Sequence, residues 1–307
     1  RRRFVRQMAW SAGAMTVLPL AACGGDDGQP ATQPAIPKVS FAHGLASGDP
    51  LSDRVMLWTR ITPPAGHQAD IPVQWELASD AAFAAIVARG ESSATAARDF
   101  TVKVDAGGLK PATAYHFRFR AHGVTSAAAR TRTLPTGSVA QVRLAVFSCA
   151  NYPAGYFNVY ADAARRSDLD ATVHLGDYIY EYAQPAKPDG LARVQPLRTA
   201  QTLQDYRDRY ALHKSDAHLQ AAHAACNWSV IWDDHEVEND YASQYGRGEP
   251  AHFLARRNAA WQAFYENMPL RDSALQRNFQ GLALYRSLQW GKLARLHLLD
   301  GRQYRDL

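Results

Sequence analysis

Three cysteines in 307 residues are too few for a disulfide framework, so a buried core has to hold this chain together. Long apolar runs are lacking too. The most apolar early stretch, Met8 to Leu20, falls short of the roughly 20 residues a membrane-spanning helix needs. Nor is there a real excess of one charge. The formal +5 falls to +1 once Arg1, Arg2, Arg3 and Arg6 are set aside. A nearly neutral body argues against a polyanion partner, and no nucleic-acid-binding module is visible. What remains is 47% hydrophobic and 21% charged, enough to bury the core of one large domain or two smaller ones.

The four leading arginines are better read as an address. Arg1-Arg2-Arg3-Phe4-Val5-Arg6 fits the twin-arginine pattern of two arginines, any residue, Phe, an aliphatic residue and a base. The stretch to Leu20 lies where a signal's apolar region belongs. Leu20-Ala21-Ala22-Cys23 resembles a bacterial lipobox, which would make Cys23 a lipid anchor; Ala-x-Ala cleavage nearby, with an incidental cysteine, is the alternative. Residues 1–23 are therefore expected to be a twin-arginine signal that delivers the protein to the periplasm or cell surface. That export machinery carries folded proteins, which suits a cofactor loaded in the cytoplasm. Residues 24–38, rich in Gly, Asp, Gln and Pro, read as a linker.

From 39 to 135 short apolar or alternating segments recur at 55–61, 71–77, 100–104 and 115–119, with turns between them. Leu109-Lys110-Pro111-Ala112-Thr113-Ala114-Tyr115 looks like a tyrosine corner, in which a phenol bonds backbone just upstream. The expectation is an N-terminal all-β sandwich of fibronectin III or Ig type, with Trp58 and Trp75 in its core. No chemistry is visible within it.

After Leu134-Pro135-Thr136-Gly137-Ser138 the pattern changes to alternating strands and helices, and residues 140–307 read as an α/β domain. Strands are expected at 142–147, 171–175, 228–232, 282–288 and 293–299. Helices are expected near 157–166, 202–225 and 252–267, the last with Phe253, Ala260, Trp261, Phe264 and Met268 as a core stripe.

Four of these strands end in polar groups able to bind metal or phosphate: at Cys149-Ala150-Asn151, at Asp177-Tyr178-Ile179-Tyr180, at Asp233-Asp234-His235 and at Asp300-Gly301-Arg302. The third opens Val230–Asp240, eleven residues that hold five acids and a histidine. Such density raises carboxylate pKa values unless a cation shares the space. A solvated first turn of a helix is the plain alternative. Four such endings in one sheet, at the edge where binding clefts form, favour a metal site.

Each residue type has a chemical reason. Gly176 lets the chain turn and frees Asp177, whose carboxylate can bridge two cations. Tyr180 as phenolate needs a strong Lewis acid such as ferric iron, and Cys149 as thiolate suits a transition metal. Carboxylate and amide oxygens suit calcium, magnesium or manganese. Cys149 could instead pair with Cys226 in an oxidising compartment. Two cations roughly 3.5–4 Å apart clamp both ends of an in-line displacement at phosphorus. His235 could then donate to the phosphoryl or leaving oxygen, and Arg302 could hold phosphate in its fork.

These segments together resemble the alkaline phosphatase D (PhoD-like) family. The resemblance lies in Phe147-Ser148-Cys149-Ala150-Asn151-Tyr152, in His174-Leu175-Gly176-Asp177-Tyr178-Ile179-Tyr180-Glu181-Tyr182 and in Tyr210-Ala211-Leu212-His213-Lys214-Ser215. It continues in Trp232-Asp233-Asp234-His235-Glu236-Val237-Glu238-Asn239 and Arg302-Gln303-Tyr304-Arg305, and reaches the N-terminal module at 43–50 and 57–60. It implies a metallophosphoesterase-like fold and extracytoplasmic hydrolysis of phosphate mono- and diesters with ferric iron and calcium, another divalent metal being an alternative. Position by position it implies that Cys149, Asp177 and Tyr180 hold iron, and that Asp177, Asp234 and Asn239 join the metal cluster. Asp233 stands behind these, and His235 and Arg302 are the catalytic candidates. Glu236 and Glu238 read as supporting or helix-start charge. Asp240 stands where the family more often has Asn, and Gly301 where it has Thr. The family's later Gly-Asp-x-His motif does not occur, so the phosphatase domain is expected to be truncated at its C-terminus; an inactive fragment that only binds metal or phosphate is the competing reading.

Overall fold

The computed structural model describes residues 38–185, 190–276 and 279–306. The twin-arginine signal, Cys23 and all but the end of the linker lie outside these residues.

Strands β1 (Leu45–Gly48), β2 (Arg54–Arg60) and β5 (Thr101–Gly107) pair antiparallel, and β3 (Ile71–Ala78), β4 (Ile86–Ala94), β6 (Ala114–Ala121), β7 (Val124–Thr125) and β8 (Ala129–Arg132) build a second antiparallel sheet. The alternation in β6 explains the packing: Tyr115, Phe117 and Phe119 are buried, and the residues between them are not. They meet Val55, Leu57, Val73 and Val102 in one apolar cluster between the sheets. The tyrosine corner is present, with the Lys110 N–H donating to the Tyr115 hydroxyl at 2.9 Å. Trp58 is fully buried, and Trp75 is half-buried, on the same face of β3 as Val73 and Leu77, packed against that cluster and over Gly90 of β4.

The sheet of β1, β2 and β5 does not stop at the expected boundary near 135–140. Strands β9 (Leu144–Phe147), β10 (Ala171–His174) and β11 (Trp228–Val230) are parallel to one another, and β11 also pairs parallel with β1, Gly48 opposite Trp228. One six-stranded sheet, in the order β5-β2-β1-β11-β10-β9, therefore runs through both halves. Gly48 makes the join possible, since a Cβ there would lie 2.5 Å from the Trp228 carbonyl oxygen. Trp58 adds a second tie by donating its indole N–H to Glu266 O at 2.8 Å.

One face of the parallel strands is covered by α1 (Asn158–Arg165), α2 (Leu203–Lys214), α3 (Ala217–Ala225) and α4 (Pro250–Asn267) around a core rich in Trp and Tyr. The expected helix 202–225 is two helices. Asp216 breaks it by capping α3, its carboxylate accepting from the N–H groups of His218 and Leu219. The expected stripe on α4 is buried throughout. Short strands β12 (Leu275–Gln276) and β13 (Gly281–Leu282) pair with each other, and β14 (Arg286–Trp290) and β15 (Ala294–Leu298) form a separate hairpin against the other face. Here the expectation of four strand ends in one sheet fails. Three share the sheet, and the fourth, after β15, arrives from the hairpin.

Candidate metal centre

The centre is assembled from the turns that follow β9, β10 and β11. Cys149 and Asp177 both adopt left-handed backbone, with φ of 57° and 53°, which costs a non-glycine residue about 1 kcal/mol. Two bonds running the same way hold the two turns together: Cys149 N–H donates to Gly176 O at 3.2 Å and Ala150 N–H to Asp177 O at 2.8 Å. Gly176, with φ of 111°, lets the β10 turn touch the β11 turn, because a Cβ there would sit 2.3 Å from Asp233 N.

Glu236 joins the same two turns. Its carboxylate, fully buried, accepts from the N–H groups of Asp177 at 3.0 Å, Tyr178 at 2.6 Å and Asp233 at 2.8 Å. Burial and the charge of Asp177 push its pKa up to about 8, against the three donors, which favour the anion. After β11 ends at Val230, residues 231–240 form turns rather than the start of a helix. Asp234 O accepts from both Val237 and Glu238 N–H, and the next helix begins at Pro250.

Within this frame Asp177, Asp234 and His235 place one ligand atom each within 4.8 Å of one another, and all three residues are buried. Two further groups converge on Asp177 Oδ2: Cys149 Sγ at 3.4 Å and the Tyr180 hydroxyl at 3.1 Å. Among the described residues Asp177 Oδ1, which is buried, has no hydrogen-bond partner, and neither has Asn151 Oδ1 on the Cys149 turn. Burial raises the Asp177 pKa most, opposed by His235 and Tyr180 and reinforced by Asp233 and Asp234. Burial likewise holds the Tyr180 phenol far above its ordinary value, with Asp177 and Cys149 adding to it. A thiol, a phenol and an incompletely satisfied carboxylate side by side suit a cation, which would relieve each of these penalties.

His235 is oriented by a residue given no role above. Its Nδ1 lies 2.8 Å from Glu181, whose other oxygen accepts from Asn239 N–H at 2.9 Å. Burial works to lower the His235 pKa, but Glu181, with help from Asp177 and Asp234, wins and holds it above the ordinary value. The ring also packs on Tyr180, centroids 4.2 Å apart. The signal for Glu181 was its place in the segment 174–182; nothing else in the sequence singles it out.

The other candidates divide. Asp233 is half-exposed and lies outside the Asp177–Asp234–His235 group, its carboxylate accepting from Arg302 Nε at 2.6 Å. Arg302 reaches Asp234 as well, at 3.3 Å, so it stands on the acids of the centre. Asn239 shares the turn, and its side-chain amide donates to Asp240 at 2.6 Å. Asp300 is structural, accepting from the Trp232 indole and from the N–H groups of Arg302 and Gln303. Cys149 and Cys226 are not paired. Cys226 is buried beside Thr172, 3.2 Å from its hydroxyl, and Cys149 is exposed.

Comparison with known proteins agrees with the resemblance. Residues 144–307 match the family described as PhoD-like phosphatase, and residues 28–135 match its N-terminal domain. The chain is 42% identical over 318 residues to alkaline phosphatase D of Bacillus subtilis (strain 168), covering 100% of itself and 54% of that protein. A solved structure of PhoD matches with a TM-score of 0.83 and 44% identity, over 87% of this chain and 53% of that one. The chain belongs to the PhoD-like phosphatase family, and spans about half the length of these relatives.

Proposed function

We propose that this chain carries the centre of a metal-dependent phosphatase that hydrolyses phosphate mono- and diesters outside the cytoplasm, with ferric iron and calcium as its cations. The observation that carries the reading is Asp177: a buried carboxylate with one oxygen unpartnered and a thiol and a phenol on the other. Cys149, Tyr180 and Asp177 would hold iron, and Asp177, Asp234 and Asn239 the harder cation. When bound, the cations supply Lewis acidity, lowering the pKa of a water and neutralising charge on the phosphoryl oxygens.

The protein's own groups do the rest. With Nδ1 engaged by Glu181, His235 has Nε2 left for chemistry, and its raised pKa suits donation of a proton to the leaving oxygen. Arg302, anchored on Asp233 and Asp234, would take a phosphoryl oxygen with its remaining N–H groups. The twin-arginine pattern at Arg1–Arg6 and the lipobox ending in Cys23 support export by that route and anchoring at the membrane.

The test combines metal analysis with hydrolysis of a chromogenic phosphomonoester and phosphodiester at alkaline pH, with and without chelator. The expected result is bound metal and chelator-sensitive turnover, both lost in Asp177→Ala. Turnover unaffected by chelator, or metal retained by that variant, would overturn the reading.

A further inference from the structure

The segment Tyr210–Ser215 belongs to the family resemblance, yet the mechanism above uses none of it. His213 lies near the end of α2 and is fully buried, 63 residues from the Cys149 turn. Its ring is packed by Tyr152 and Phe157, with centroids at 5.3 and 5.9 Å. Nδ1 lies 3.0 Å from Arg209 O, on the same helix, and Nε2 lies 3.0 Å from Ala150 O. Burial keeps the imidazole neutral, its pKa lowered to about 4, so only one nitrogen carries a proton. Arg209 O sits at the i−4 position that α-helical N–H groups already use. Ala150 O is in a buried residue, and among the described residues His213 is the partner assigned to it. The proton therefore belongs on Nε2, donated to Ala150.

Ala150 follows Cys149, and this turn needs holding. The donors of the turn are already spent on the β10 turn through Gly176 O and Asp177 O. Its buried acceptor is spent on α2. With both ends fixed, Cys149 is kept at φ 57° and its sulfur 3.4 Å from Asp177. Without the imidazole a buried carbonyl loses its donor, a penalty that the turn escapes most easily by swinging toward solvent. Cys149 swings with it.

We propose that His213 is a positioning residue that aims the Cys149 thiol at the centre through the Ala150 carbonyl. The inference deepens the assignment of Cys149 as a metal ligand and rests on that assignment for its functional meaning.

Side-chain reach separates this role from simple core packing. Glutamine carries an amide N–H near the position of Nε2, and asparagine only near that of Nδ1. In the metal-free chain, alkylation of Cys149 by iodoacetamide is followed peptide by peptide by mass spectrometry. The expected rate is unchanged in His213→Gln and several-fold faster in His213→Asn and His213→Ala, where the thiol leaves the Asp177 carboxylate. In a ferric titration followed by visible charge-transfer absorption, Gln should keep the wild-type band, whereas Asn and Ala should approach the spectrum of Cys149→Ser. Equal alkylation rates in all four proteins would overturn the proposal, as would Gln behaving like Ala. If Cys149→Ser leaves the ferric titration unchanged, the ligand assignment of Cys149 falls, while the alkylation rates still decide the role of His213.

Discussion

Removal of the Glu236 carboxylate tests whether the centre is held together from beneath. Glu236→Ala strips the acceptor from three buried N–H groups, those of Asp177, Tyr178 and Asp233. A buried donor left without a partner costs about 1–3 kcal/mol, and water entering the vacated space offsets part of the sum. A loss of about 3–6 kcal/mol is expected, large against the 5–15 kcal/mol that typically holds a domain together. Glu236→Gln keeps one oxygen and should lose less. The raised pKa adds a pH signature. The unfolded chain releases this proton near 4.5 and the folded chain holds it to about 8. In that window the folded state binds more protons, so stability falls as pH rises, and Gln should abolish the slope. Urea unfolding of the metal-free chain at several pH values between 5 and 8 measures all three quantities. Glu236→Ala within about 0.5 kcal/mol of wild type would refute the reasoning, because substitutions that break no structural feature fall in that range.

Three other predictions concern neighbouring groups. Glu181→Gln should bring the His235 titration, followed by NMR without metal, down toward or below its ordinary 6.5, because Glu181 is what outweighs burial there; the raised pKa means the contact stabilises fully below 6.5 and its contribution fades as pH climbs through the folded value. An unmoved midpoint would exclude that orienting role. Lys214, buried over the Trp58 ring at 4.2 Å, has its pKa lowered from 10.5 to about 7 by burial alone. In between the unfolded chain binds the extra proton, so stability should rise with pH by up to about 5 kcal/mol, and Lys214→Met should flatten that rise and be more stable at neutral pH in urea unfolding. Gly176→Ala should destabilise by about 2 kcal/mol or more and weaken metal binding in a calorimetric titration, since its Cβ would lie 2.3 Å from Asp233 N at a φ of 111°.

Periodicity and turn chemistry made most elements of this fold legible. The strands ending near Phe147, His174 and Val230 lie where apolar runs meet polar residues, and the α4 stripe is core as its spacing implies. Short strands such as β1, β7 and β8 were not legible, and two further features escaped for different reasons. Strand β4 escapes because Ile86–Ala94 is an exposed edge strand whose residues show little apolar alternation. The pairing of β1 with β11 escapes because nothing local encodes a contact between Gly48 and Trp228. It depends on a glycine that reads as an ordinary turn residue until the opposing carbonyl is known. The hairpin of β14 and β15 was legible as two strands, but its separation from the main sheet is a tertiary fact. At the centre, residue types that bind metals singled out Cys149, Asp177, Tyr180 and Asp234, which the fold brings together, while Glu181 has the same chemistry as any surface glutamate and acquires its place only through His235.

The acids of Val230–Asp240 show why charge density in a sequence overstates the number of ligands. Asp233 is held by Arg302, and Glu236 is spent on three backbone N–H groups. Glu238 is spent on Arg256 and on the Arg247 N–H, and Asp240 on the Asn239 amide. Asp234 accepts from the Asp240 N–H at 2.5 Å and touches Arg302, yet it also joins Asp177 and His235. Four of the five acids thus build or neutralise the frame, and one faces inward. Among the described residues the buried carboxylate with an unpartnered oxygen belongs to Asp177, on a different strand end, where the sequence shows a single acid after a glycine. Charge that must receive a cation has to be left unsatisfied by the protein. A lone carboxylate in a buried turn achieves that more readily than one in a cluster, whose members find partners among the cations and N–H groups that crowding brings close.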